Sequence, residues 1–207
     1  MEAIPRTYDK SIAGQVDEVN VDTEAAETRT EHDMLALSPQ TLEGFRVSQL
    51  DSVYYIPSYV TEAQEHSLLD QVSSARSKWT NLKRRRLQNW GGIVEEKGMI
   101  PEPLPTWLST LLGRLHEDVG LFRTAPNHVL VNEYQPGEGI MAHEDGPLYF
   151  PLVAILSLRS SAVIRFTRKQ PSLNSGVEEN HADSRPEVVS LVLRPRSLLI
   201  FKDAAYQ

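Results

Sequence analysis

Residues 1 to about 40 carry few large apolar side chains and many acids. Such a stretch cannot bury enough surface to offset the entropy of ordering it, so it is expected to be a disordered acidic tail. An acidic interaction arm is the functional alternative. A folded domain is expected over residues 41–207, with its first apolar anchor near Phe45. Val53-Tyr54-Tyr55-Ile56 predicts a short strand. Thr61-Glu62-Ala63-Gln64 has the form of a capping box, and Leu68, Leu69 and Val72 follow at helical spacing. Pro105 suits the start of a second helix that buries Trp107 or Leu108 with Leu111, Leu112 and Leu115.

From His128 onward the pattern becomes that of strands. His128 to Tyr134 predicts one strand, and Pro136-Gly137-Glu138-Gly139 a turn. Leu152 to Leu158 and Ala162 to Thr167 predict two more, joined at Arg159-Ser160-Ser161. A polar loop runs from Gln170 to Pro186. Glu187 to Leu193 and Ser197 to Phe201 form a last pair across Arg194-Pro195-Arg196. Helices first and closely spaced strands afterwards predict an α+β fold built on a β-sandwich or barrel.

Composition narrows the classes of function. Hydrophobic residues make up 40% of the 207, ordinary for a globular protein, and no apolar run is long enough to span a bilayer. No secretory signal is visible at Met1 to Lys10. The absence of cysteine excludes disulfides, thiolate zinc sites and a cysteine nucleophile. The net charge is -7, but residues 1–40 hold nine acids against three bases, so the domain itself is close to neutral.

Two stretches carry candidate chemistry. In His143-Glu144-Asp145, residues two apart on an extended segment share a face, so His143 and Asp145 can reach one metal while Glu144 points away. An imidazole and a carboxylate are two members of the facial triad used for non-haem iron(II). A plain turn, with Asp145 bonded to backbone amides, is the structural alternative. His181-Ala182-Asp183 repeats the pattern inside the polar loop and is expected to be solvated. Asn132 and Tyr134 also share a strand face, and an amide with a phenol suits a small carboxylate ligand. The second stretch is basic: Arg76, Lys78 and Lys83-Arg84-Arg85-Arg86, with Trp79 and Trp90 nearby. Arg84, Arg85, Arg86 and Trp90 are candidate nucleic-acid contacts, through phosphates and base stacking. A solvated charged hairpin is the alternative, and Lys83 to Arg86 also has the character of a nuclear-import signal.

Taken together, Asn132-x-Tyr134, Gln135-Pro136-Gly137-Glu138-Gly139-Ile140 and His143-x-Asp145-Gly146 resemble the core of the AlkB-family dioxygenases. Leu87-Gln88-Asn89-Trp90-Gly91-Gly92 and His143 to Pro151 most resemble the branch known as AlkB homologue six. The resemblance covers roughly Phe45 to Tyr206. It implies a double-stranded β-helix (jelly-roll) core preceded by helices, with iron(II) and the co-substrate 2-oxoglutarate. It further implies His143 and Asp145 as iron ligands, and Asn132 and Tyr134 as co-substrate contacts. The implied reaction is oxidative demethylation of a methylated DNA or RNA, with a protein substrate as the lesser alternative. The implied setting is a monomer in the nucleus and cytoplasm, off the membrane. The family also needs a second histidine and then an arginine, and neither is found before Ala204-Ala205-Tyr206-Gln207. Arg194 and Arg196 come too early to be that arginine. The resemblance therefore implies a site that lacks a ligand, a jelly roll without its last strands, and a non-catalytic binding chain as the alternative function.

Overall fold

The computed structural model describes residues 8–14, 39–168 and 188–206. In chain order the strands are β1 (Tyr8–Gly14), β2 (Val53–Ile56), β3 (Trp79–Leu82), β4 (Arg85–Trp90), β5 (Gly92–Glu95) and β6 (Gly98–Pro101). There follow β7 (Val129–Glu133), β8 (Gly139–His143), β9 (Leu152–Leu156), β10 (Ala162–Arg168), β11 (Val188–Leu193) and β12 (Leu198–Lys202). The helices are α1 (Pro39–Glu43), α2 (Glu62–Ser74) and α3 (Thr106–Val119). The protein is thus a mixed α and β structure, mostly strands with few helices.

Strand β12 explains the layering. Leu198, Leu199, Ile200 and Phe201 are all fully buried, the mark of a strand covered on both faces. Leu198 and Ile200 pack with Leu112, Leu115 and Val119 of α3 and with Ile56 of β2. Leu199 and Phe201 turn the other way, onto Ile164 and Phe166 of β10 and Val189, Leu191 and Leu193 of β11. The result is a helix layer, the sheet β2-β12-β9, and the sheet β11-β10-β1-β8. Two smaller sheets, β3-β4-β7 and β5-β6, complete the described strands.

Local sequence explains most of the boundaries. The Thr61 hydroxyl accepts from the Gln64 amide at 3.2 Å, and the Gln64 side chain accepts from the Thr61 amide at 2.9 Å, closing the capping box of α2. Helix α3 buries Leu108, Leu112, Leu115 and Val119, and ends at Gly120 with φ 66°. Between β4 and β5, Gly91 has φ 94°, and a Cβ there would lie 2.0 Å from the Asn127 carbonyl oxygen. Only glycine fits that approach.

One sequence expectation is corrected. Tyr8–Gly14, assigned to a disordered tail, is a strand. It pairs antiparallel with β10 along its whole length, from Tyr8↔Arg168 to Gly14↔Ala162. Its other edge pairs with β8, including Lys10↔His143 and Ile12↔Ile140. Weak local propensity is overridden because the slot offers hydrogen-bond partners to both of its edges. Pro39 and Gln40, also assigned to the tail, begin α1; the remainder of the tail lies outside the described residues, as does the polar loop around His181 and Asp183. Deleting residues 1–14 is accordingly expected to lower the unfolding midpoint and to promote association through the freed edges of β8 and β10. Thermal unfolding and sedimentation of the shortened chain check this, and an unchanged midpoint with a monomeric product would contradict it.

Candidate active site

His143 is the last residue of β8, and Asp145 lies two residues beyond it. Their closest atoms, Nε2 and Oδ1, are 3.8 Å apart. That is too long for a direct hydrogen bond, but one ion bound by both can span it. The tautomer of His143 is set by its own backbone: Nδ1 lies 2.9 Å from the Met141 carbonyl oxygen, which can only accept. The proton therefore sits on Nδ1, and the Nε2 lone pair faces Asp145, as a metal ligand requires. Glu144 is exposed between them.

A broad open cleft of about 1920 Å³ reaches Asn132, Tyr134, His143 and Asp145 among many other residues, with Asn132 exposed and the other three part-buried. Strand β7 supplies the first pair. Its pairing with β4 sets Asn132 opposite Leu87 and Glu133 opposite Arg86, so Asn132 and Tyr134 share a face with Leu87 and Arg85. Burial pushes the Tyr134 hydroxyl above the usual phenol range, and the Arg85 charge partly offsets this. Tyr134 is thereby held as a neutral hydrogen-bond donor. Beyond Asp145, the Tyr206 hydroxyl donates to the Gly146 carbonyl at 3.4 Å. Its pKa is pushed up to about 12, first by burial and then by the neighbouring Asp145 charge.

His128, in sequence the start of a strand and set aside as a ligand, also lines the cleft. Its ring lies 5.6 Å from that of Tyr149, and its Nε2 is 2.9 Å from the Asn89 Oδ1. Burial lowers its pKa below the ordinary 6.5. The sign follows directly. Above 6.5 the imidazole is neutral both folded and unfolded, and its burial is free of this penalty. As the pH falls below 6.5, the unfolded chain takes up the proton first, and stability is lost until the folded pKa is passed. The expected result is an unfolding midpoint that drops on acidification from pH 6.5 and flattens in His128→Gln. A slope unchanged by the substitution would contradict it.

The basic residues divide. Lys83 and Arg84 form the exposed tip between β3 and β4, where the Arg84 Nη2 donates to the Gly137 carbonyl at 2.8 Å. Arg86 makes a two-pronged pair with Glu133, both contacts 2.8 Å, and lies 4.3 Å over the Trp79 ring. Arg85 points to the opposite face of the strand, and both it and Arg86 reach the cleft. Trp90, expected to stack on a base, is committed to the interior: it is 9% exposed and packs edge-on to Trp107. Its indole N–H donates to Gln88, whose amide in turn donates to the Val72 and Ala75 carbonyls. Arg196 is paired with Glu65 at 3.1 Å.

Comparison with known proteins places the chain in a family. The 2OG-Fe(II) oxygenase superfamily model matches residues 36–206. A protein of Danio rerio named "Probable RNA/DNA demethylase ALKBH6" is 43% identical over 157 residues, covering 75% of this chain and 66% of that protein. An uncharacterized protein of Acanthamoeba polyphaga mimivirus is 32% identical over 166 residues, covering 77% of this chain and 71% of that one. A Xenopus tropicalis protein named "tRNA (carboxymethyluridine(34)-5-O)-methyltransferase alkbh8" is 28% identical over 154 residues, covering 70% of this chain and 22% of its own length. The chain belongs to the 2OG-Fe(II) oxygenase superfamily and is of the AlkB type. It spans just under two thirds of the zebrafish relative's length.

The family implies iron(II) and 2-oxoglutarate, and the donors present fit both in part. His143 and Asp145 supply two adjacent ligands with the correct tautomer. No group of three or more metal-binding side chains occurs among the described residues. For the dicarboxylate, the cavity offers the Tyr134 hydroxyl, the Asn132 amide and the Arg85 guanidinium.

Proposed function

We propose that this chain is an Fe(II)- and 2-oxoglutarate-dependent dioxygenase of the AlkB type that removes methyl groups from alkylated nucleic acid. The convergence of His143, Asp145, Asn132 and Tyr134 on one cavity carries the reading. His143 Nε2 and Asp145 would hold the iron. Asn132 and Tyr134 would orient the co-substrate through the amide and the neutral phenol. When bound, the two groups supply oxidation of an N-methyl group by O2, with succinate, CO2 and formaldehyde as products. The protein's part is to position the reactants and exclude side reactions. The names of the zebrafish and frog relatives, which mention RNA, DNA and tRNA, support a nucleic-acid substrate.

The strands are read as a double-stranded β-helix, with β11-β10-β1-β8 and β2-β12-β9 as its two walls. The exposed tip at Lys83 and Arg84 would lie along the phosphate backbone. No described helix is long and apolar enough to cross a membrane. A monomer in the nucleus and cytoplasm completes the reading.

A second reading, binding without turnover, is favoured by the count of two donors at the metal position among the described residues. The test supplies Fe(II), 2-oxoglutarate, O2 and a methylated oligonucleotide. Succinate and formaldehyde released in equal amounts support the dioxygenase; oligonucleotide binding without succinate supports the second reading. In the same binding assay, Arg84→Ala is expected to flatten the log–log salt dependence by about one unit. An unchanged slope would remove Arg84 from the interface.

A further inference from the structure

Three consecutive arginines, running from the β3–β4 tip into β4, have three different fates. Arg84 gives one N–H to a backbone carbonyl and keeps its exposed charge, and Arg86 is neutralised by Glu133. The Arg85 Nε is buried and has no hydrogen-bond partner among the described residues. A buried guanidinium N–H left unpaired costs free energy, so such a group is either strained or awaits a ligand. Its surroundings favour the ligand. Arg85 shares a strand face with Asn132 and Tyr134, and all three line the cavity that His143 and Asp145 enter. The adjacent carboxylate, Glu133, is on the opposite face and already paired. Residues of both faces of β4 and β7 reach the cleft, and the Arg85 face presents an unpaired cation, a phenol and an amide together, while the cation of the other face, Arg86, is neutralised by Glu133. Planar, two-pronged recognition of a carboxylate is what a guanidinium does best.

We infer that Arg85 is a binding residue for a carboxylate of the dicarboxylic co-substrate, gripping it from the β4 side of the cavity, rather than a contact for the nucleic-acid backbone. This rests on the dioxygenase reading only in the identity of the ligand. Phosphate is the rival anion, and the two separate by what each variant loses.

The test measures direct binding, not turnover. Calorimetry follows 2-oxoglutarate, and separately an unmodified oligonucleotide, on the full 207-residue chain, with Arg85→Gln, Arg85→Lys and the distant charge control Arg46→Gln. Expected is at least a tenfold loss of 2-oxoglutarate affinity in Arg85→Gln, the scale of one charge-assisted hydrogen bond. Arg85→Lys should recover only part of it, because a point charge replaces a fork. Arg46→Gln and the oligonucleotide affinity of Arg85→Gln should stay unchanged. Loss of oligonucleotide binding alone would assign Arg85 to phosphate and overturn the inference. So would undiminished 2-oxoglutarate binding in Arg85→Gln, or no 2-oxoglutarate binding by the parent chain. If 2-oxoglutarate binds and depends on Arg85 but no demethylation follows, the inference stands and the reaction assignment falls.

Discussion

Anaerobic titration of the His143→Ala chain with Fe(II) is expected to give no measurable binding, while His181→Ala binds like the parent. Both histidines sit in a His-x-Asp sequence, so composition alone does not separate them. Geometry favours His143: it ends a strand, its tautomer is set by the Met141 carbonyl, and its Nε2 faces Asp145 across 3.8 Å. A site with so few donors among the described residues has none to spare, so losing one should abolish affinity rather than trim it. Asp145→Ala should behave likewise. Equal loss in both histidine variants, or loss in His181→Ala alone, would move the metal to the polar loop.

Replacing Phe201 by Ala is expected to destabilise the fold by about 3–5 kcal/mol, measured by denaturant unfolding. The ring is fully buried between the two sheets and meets Phe166 edge to face, centroids 5.6 Å apart. Truncation there leaves a void that neither sheet can close without shifting its strands. Leu148→Ala, half-exposed, should change stability by no more than about 0.5 kcal/mol. Similar effects from both would mean that the sandwich is not the stability core.

Much of this was readable in the residues. Ser197 to Phe201 reads as a strand from its apolar run, though its cover on both faces emerges only from the packing, and the capping box at Thr61 marks its helix start without help from packing. The His143, Asp145, Asn132 and Tyr134 set could be assembled from period-two spacing together with family resemblance. The hairpin β5–β6 was missed because Ile93 and Ile100 are exposed and few buried positions mark its strands. The fates of Arg84, Arg85 and Arg86 were merged because a charge run says nothing of direction until the strand is known; alternation then separates 85 from 86. Trp90 was mistaken for a surface platform because its buried partner, Gln88, is a polar residue that looks like surface in sequence. Strand β1 was illegible for a different reason. Its order depends on partners far along the chain, and nothing local in Tyr8–Gly14 announces them.

That strand also bears on the metal. Among the described strands, β8, which presents His143, joins its sheet only through β1. If His143 and Asp145 hold the iron as proposed, any molecule with β1 undocked would hold His143 on a tether, and only the docked fraction would offer the assembled ligand pair. The apparent iron dissociation constant would then be the intrinsic one divided by that fraction. By reciprocity, iron would favour docking of the N-terminal strand. On that reading a strand far from the ligands in sequence sets the scale on which the metal is felt.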